Sequence, residues 1–328
     1  MLTRKMIFSH KRTILFITKD KIQWMAGRVP DGKLLGEVQS LPWSEENLHA
    51  ALDIIADKFP KKLRIVIGEE FSYVTHFIKN NKKTTIVSEA QAFIPEELRD
   101  GWDSREEKTG EVQVMAVQQE LFSMLKKALS ERSLRVEAIE AESVSIARMV
   151  QKHECKAAIF ARSEGKTILG VVQCVEILAT KVFSKFPAKE QIKKFIDLAV
   201  IPKDAVTKVY IQDESGKLAE IFKELGVEAQ VLDLDPMLGV CHKKDLTGRD
   251  KDVLNIFLDQ GGAQLNKSEN SHNHLSLREK ILLGIFLAAI IGSAVTVYFV
   301  QKNRQKAVKM MPTTQGVISD QSGLKWTK

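Results

Sequence analysis

The sequence predicts an α/β fold class: a body of two similar lobes followed by one transmembrane helix. Three observations predict it. A strand hairpin, a third strand, a helix and a fourth strand occur in that order twice, about 145 residues apart. A polar stretch containing glycine, serine and asparagine, residues 261–280, follows the second copy. Residues 281–300 (ILLGIFLAAIIGSAVTVYFV) then carry no charge. A helix of that length spans roughly 30 Å at 1.5 Å per residue, the hydrocarbon thickness of a bilayer.

The elements follow in order. Residues 12–17 (RTILFI) predict a strand, Lys19-Asp20 a turn, and residues 22–28 (IQWMAGR) the returning strand. Pro30-Asp31-Gly32 is a second turn, since Pro fixes φ and Gly tolerates positive φ. A third strand spans 34–41. Ser44 offers an N-cap with Glu45 and Glu46 in the first turn, and Leu48, Ala51, Leu52, Ile55 and Phe59 recur at helical spacing. Residues 63–68 (LRIVIG) are the fourth strand. In the second copy, 157–161 and 167–172 flank a turn at 163–166 (SEGK), 175–183 is a third strand, 188–198 a helix and 208–212 a strand. Between the copies, 88–93 reads as a helix stopped by Ile94-Pro95. Residues 111–117 read as a strand, 119–130 as an amphipathic helix, 136–139 as a strand and 143–150 as a helix. After the second copy come a helix at 218–225 and a strand at 231–234.

The run 281–300 is bracketed by Arg278, Lys280, Lys302 and Arg304, with Tyr298 near one end, as interfacial anchors are placed. Gly284, Ala288 and Gly292 share one face of that helix, and small residues at this spacing let two helices approach closely. A packing face for a homodimer or partner helix, and a generic membrane helix, are the two readings. No export signal stands at the N-terminus, and Cys155, Cys174 and Cys241 suggest no disulfide framework. The expectation is a large N-terminal body, residues 1–260, in the cytoplasm. A single pass through the inner membrane and a short basic tail, 301–328, outside would follow. The chain's net charge is +7, of which the tail carries +5: six basic residues against Asp320. The remaining +2 over the rest of the chain gives no footprint for nucleic acid.

Residues 86–102 (IVSEAQAFIPEELRDGW) and 134–150 (LRVEAIEAESVSIARMV), separated by a strand and an amphipathic helix, resemble the actin-like assembly proteins of type IV pili, the PilM family. They also resemble the cytoplasmic half of the type II secretion protein GspL. The resemblance covers roughly residues 12–258. It implies two ribonuclease-H-like lobes enclosing a nucleotide, and a body that connects a motor ATPase to a membrane platform. In the pilus family that body has no anchor and holds the cytoplasmic tail of a membrane partner. The phosphate-binding turns of the actin-like group depart here. The first reads FITKDKIQW, with Lys19 and Asp20 and no glycine; the second places Phe160, Ala161 and Arg162 where Asp-x-Gly is expected; the adenosine loop offers only Gly216. Glycines let backbone N–H groups approach phosphate, and an Asp holds Mg²⁺. With all three eroded, no cofactor and no catalysis are expected.

Other candidates weigh less. Cys241-His242, and His272 with His274, lack zinc-site spacing, so no metal is expected. Asp233 and Asp235 alternate with Leu232 and Leu234 as on a solvated strand. Trp43, Trp102 and Phe93 read as core, with exposed aromatic anchors for a partner as the other reading. The expected function is a non-catalytic, membrane-anchored scaffold of a type IV pilus or type II secretion inner-membrane platform, coupling a cytoplasmic motor ATPase to membrane partners. Its rivals are an ATP-binding actin-like protein with atypical phosphate loops, and a membrane-tethered α/β domain of unrelated envelope or signalling role.

Overall fold

Two five-stranded sheets with the same strand order organise the chain. The structure, a computed structural model, describes residues 9–79, 85–106, 110–151, 157–173, 176–198, 208–243 and 255–256. The chain divides into two compact units, Met1–Ser268 and Glu269–Lys328, and every described residue lies in the first. The linker 261–280, the predicted membrane helix 281–300 with Gly284, Ala288 and Gly292, and the tail 301–328 lie outside the described residues. Among the described residues no helix is long and apolar enough to cross a membrane.

The first lobe begins with strands β1 (His10–Ile17), β2 (Lys21–Val29) and β3 (Lys33–Pro42), which form an antiparallel meander. Helix α1 (Glu45–Lys58) crosses over, and β4 (Lys62–Ile67) returns parallel to β1. Ser44 caps α1 as its sequence demands, its hydroxyl accepting from the Asn47 N–H at 3.1 Å. Leu48, Ala51, Leu52 and Ile55 are the residues α1 buries, the predicted 3.6-residue stripe. An insertion follows: β5 (Ser72–Ile78), the short helix α2 (Ile86–Ala90), β6 (Trp102–Glu106) and β7 (Glu111–Val117), which form a separate sheet in the order β5-β7-β6. Helix α3 (Gln119–Ser130) then leads to β8 (Arg135–Ala141), which completes the first sheet beside β4.

Helix α4 (Glu142–Gln151) carries the chain to the second lobe. There β9 (Ala157–Glu164), β10 (Lys166–Gln173), β11 (Glu176–Phe183), α5 (Lys189–Leu198), β12 (Lys208–Asp213), α6 (Lys217–Glu224) and β13 (Ala229–Val231) repeat the order. The sheets read β3-β2-β1-β4-β8 and β11-β10-β9-β12-β13. Each lobe packs two helices on one sheet face: α1 and α3 in the first, α5 and α6 in the second. The opposite faces are covered reciprocally. Ile146, Met149 and Val150 of α4 pack on Phe160, Ile168 and Val172 of the second sheet, and Met237, Val240 and Cys241 of α7 (Pro236–Cys241) pack on Ile14, Phe16 and Val66 of the first. The two helices touch where Gly239 lies against the Ser145 backbone. A Cβ on Gly239 would come within 2.2 Å of the Ser145 carbonyl oxygen, so only glycine fits.

Three expectations need correction. The 231–234 strand is instead β13 at Ala229–Val231. Asp233 and Asp235 do not alternate on it: the Asp235 carboxylate caps α7 by accepting the Met237 N–H at 2.8 Å, and Asp233 accepts the Asp235 N–H at 3.0 Å. Phe93 is not core. It is 57% exposed and stacks on Phe77 at 5.4 Å between centroids, while Trp102 is buried and Trp43 half-buried against Phe71. The 163–166 turn shrinks to Gly165, at φ 73°, because both strands run to its edges.

Candidate functional site

The two hairpin turns where nucleotide loops were expected face each other, and the chain's own charges join them. Lys21, just after the first turn, reaches Glu164 of the second at 2.9 Å. Lys166 bonds Glu70 and, at 2.8 Å, Glu142. Arg162 bonds Glu142 at 2.9 Å and also Glu164. The Lys19 N–H donates to Glu70 at 2.5 Å, and the Ser143 N–H to Glu69 at 2.8 Å. Glu69 and Glu70 stand on a 3₁₀ turn after β4, Glu142 opens α4, and Lys166 opens β10. Sheet ends bring these residues together, as the carboxyl ends of parallel strands do in α/β folds.

The electrostatics are those of a closed ion-pair cluster. Burial pushes the Glu69 carboxyl up to about 7, with Glu142 adding to the rise and Ser143 and Lys166 opposing it. Burial works to lower the Lys166 ammonium, but Glu142 and Glu70 outweigh it and hold the proton more tightly than usual. Three carboxylates (Glu70, Glu142, Glu164) thus engage three cations (Lys21, Arg162, Lys166), and Glu69 beside them accepts the Ser143 N–H. A polyphosphate entering there would have to displace carboxylates from their partners, and like charges held close together repel.

The residues of the three expected nucleotide loops have other work. Phe160 and Ala161 are buried in β9, and Arg162 serves the cluster just described. Gly216, at φ 71°, precedes α6, and there Asp213 closes the turn on itself by accepting the Ser215 N–H at 2.9 Å and the Leu218 N–H at 2.8 Å. Cys241 is buried, and burial pushes its thiol up to about 12, so it is protonated and inert. Cys155, Cys174, His272 and His274 lie outside the described residues.

Beside the cluster sits a second buried network. Burial alone would raise the Glu140 carboxyl, but Arg148, at 2.6 and 2.8 Å, and Lys243, at 2.8 Å, hold it far below the usual carboxylate range. Burial depresses the Lys243 ammonium to about 8. Arg64 donates to the Val240 carbonyl at 3.0 Å and the Lys243 carbonyl at 2.5 Å, tying the end of α7 to β4.

The chain then returns to the first lobe at Asn255-Ile256. Ile256 is 1% exposed and packs with the α1–α3 core, its N–H donating to the Ile139 carbonyl at 3.1 Å. The Asn255 side chain accepts the Ile139 N–H at 3.2 Å and donates to the Glu137 carbonyl at 3.2 Å. Its backbone N–H donates to Asp103 of β6 at 2.7 Å. The open edge of β8 at Ile139 is thereby satisfied, and the insertion holds the same residue from the other side.

Sequence reasoning did not find Glu69, Glu70, Glu140, Glu142, Lys243 or Asn255. The signal for two of them was in plain view: Glu140 and Glu142 interrupt an otherwise apolar β8–α4 junction (AIEAESVSI), where only paired carboxylates are tolerated.

No family model matches this chain, and no curated protein does. Solved structures do. A chain of the PilM–PilN type IV pilus biogenesis complex superposes with a TM-score of 0.52 at 11% identity, over 70% of this chain and 96% of that one. A Bacteroides thetaiotaomicron protein of unknown function with an actin-like ATPase fold gives 0.49 at 8% identity over 71% and 96%. The cytoplasmic domain of EpsL, an inner membrane component of the Vibrio cholerae type II secretion system, gives 0.48 at 9% over 71% and 94%. At 11% identity the likeness to the pilus chain is one of fold: the body is the two-lobed, actin-like α/β architecture.

Proposed function

We propose that this protein is a membrane-anchored, non-catalytic scaffold of a type IV pilus or type II secretion assembly platform. In this reading the lobe surfaces dock platform proteins and an assembly ATPase, and 281–300 fixes the body to the cytoplasmic face of the inner membrane. The observation that carries the non-catalytic part is the closed cluster between the two hairpin turns: Lys166 lies between Glu70 and Glu142, and Lys21 on Glu164. The Asn255–Ile256 clamp supports anchoring in cis. It fixes the chain on the edge of β8, and the polar stretch 261–280 lies between it and the apolar run. The PilM–PilN type IV pilus biogenesis complex pairs two proteins. By the family resemblance these are a body and its membrane partner, which one chain would here supply together.

Calorimetric titration of the detergent-solubilised full chain with ATP and Mg²⁺ tests the reading. No heat at concentrations that detect tens of micromolar affinity is the expected result. Saturable one-to-one binding would return the cleft to the actin-like ATP-binding reading.

A further inference from the structure

The insertion meets the second lobe at a point where three ligand-bearing side chains converge. His76 lies on β5 and Glu111 on β7. In the antiparallel register His76 faces Gln113 and Ile78 faces Glu111, so strand alternation puts His76 and Glu111 on one face as diagonal neighbours. That face is turned toward the second lobe, because Val74, two residues before His76, packs against the core of the second sheet while Phe77 joins the core on the insertion's other side. Glu176 opens β11 of the second lobe. One ligand atom from each of the three lies within 4.8 Å of the others, and His76 Nε2 stands 3.9 Å from Glu176. The imidazole is 14% exposed and the Glu176 side chain 16%. His76 Nε2 is fully buried and makes no hydrogen bond among the described residues. A buried ring nitrogen without a hydrogen bond costs free energy, and here it stands within reach of two carboxylate oxygens.

We propose that His76, Glu111 and Glu176 form a divalent-cation site of the zinc class that ties the insertion to the second lobe. A tetrahedral first-row cation accepts imidazole nitrogen and carboxylate oxygen at about 2.0–2.2 Å, which places ligand atoms roughly 3.4 Å apart, so side-chain rotations that move them by about an ångström close the set. The nitrogen donor selects against Mg²⁺ and Ca²⁺, which take oxygen ligands. Three protein ligands leave a fourth position for water. Arg105, opposite Gln113 on β6, shares this face and sets the local charge balance with the two glutamates. The role is structural: the ion bridges two parts of the body that are remote in sequence. It is independent of the scaffold reading above.

The test is calorimetric titration of Zn²⁺ into EDTA-stripped, solubilised full chain, with thermal unfolding in parallel. One site of micromolar or tighter affinity and a raised Tm are expected. His76→Ala and, separately, Glu111→Gln weaken that binding at least 10-fold and abolish the Tm gain, with the EDTA-state Tm reporting that each variant folds. The double variant His272→Ala/His274→Ala controls for the linker histidines and retains the site. Zinc binding that survives both His76→Ala and Glu111→Gln, or no stoichiometric binding in the parent chain, overturns the assignment.

Discussion

The two lobes share a strand order and differ at one step. In the second lobe, residues 214–228 connect β12 to β13, little more than α6; in the first, residues 68–134 connect β4 to β8 and carry the β5–β7 sheet. The fifth strands differ to match. β13 is three residues long and its Val231 is 83% exposed; β8 is seven residues long, its Ala138, Ile139 and Ala141 are buried, and Asn255-Ile256 covers its edge. A short edge strand needs no protection, whereas a long one presents unpaired backbone that must be covered. The duplication therefore supplies the scaffold. The particular features of this chain gather where the copies diverge: the returning segment, the Asp103 contact and the His76–Glu111–Glu176 cluster all involve the insertion.

The largest expected effect tests whether the junction between lobes is held by charge. Glu140→Ala leaves Arg148 and Lys243 buried without their shared carboxylate, and breaking a buried pair in this way costs about 3–5 kcal/mol. Urea unfolding of the solubilised full chain should show a loss of unfolding free energy of that size. A loss under 1 kcal/mol would mean that water reaches the network and the junction is not a dry core.

The fifth strands give the most direct comparison. Ile139 is fully buried, so Ile139→Ala is expected to cost about 2–5 kcal/mol. Val231→Ala, at the equivalent strand of the second lobe, should stay within about 0.5 kcal/mol. Equal losses in the same unfolding assay would show that β13 is buried in the working protein, by a partner or another part of the chain, and would erase the asymmetry.

Burial pushes the Asp103 carboxyl, which accepts the Asn255 N–H, up to about 6 from 3.8. A folded pKa above the unfolded value means that the folded state holds its proton longer, so this group costs stability as pH rises from about 4 to about 6. The loss totals about 3 kcal/mol, at 1.36 kcal/mol per unit. Asp103→Asn should flatten the stability profile over that window. It should leave the separate fall caused by Glu69, whose pKa of about 7 extends the slope to neutral pH. An unchanged profile in the variant would place Asp103 in solvent and undo the clamp on Asn255.

Much of the duplicated scaffold was legible because it rests on local rules. Ser44 with Glu45 and Glu46 marks a helix start, and RTILFI and LRIVIG are apolar runs bounded by turns. The insertion was less legible. β6 (WDSRE) has one apolar residue and exists because β7 pairs with it, so no periodicity announces it. β5 carries Tyr73, Val74 and Phe77 on alternating faces, both of them partly covered, which blurs the period of two. That the two hairpin turns lack the expected glycines could be read from the sequence, but the ion pairs that join them could not. Lys166 reaches Glu70 across 96 residues of sequence, and such a pairing is a product of topology.

The smallest effect concerns the outermost bond between the lobes. Lys21 and Glu164 are 35% and 47% exposed at the side chain, and a solvated pair of this kind contributes about 0.2–1 kcal/mol. Lys21→Ala should therefore barely move the unfolding midpoint, and less still at high salt, because exposed charges are screened. Its informative consequence is different. Removing the lysine leaves Glu164 on Arg162 alone and adds net negative charge at the mouth of the cleft, so ATP should bind the variant no more detectably than the parent chain. Should Lys21→Ala instead weaken a measurable ATP affinity by tenfold or more, Lys21 would be a phosphate ligand rather than a latch. The first lobe's turn would then be the functional half of an active cleft.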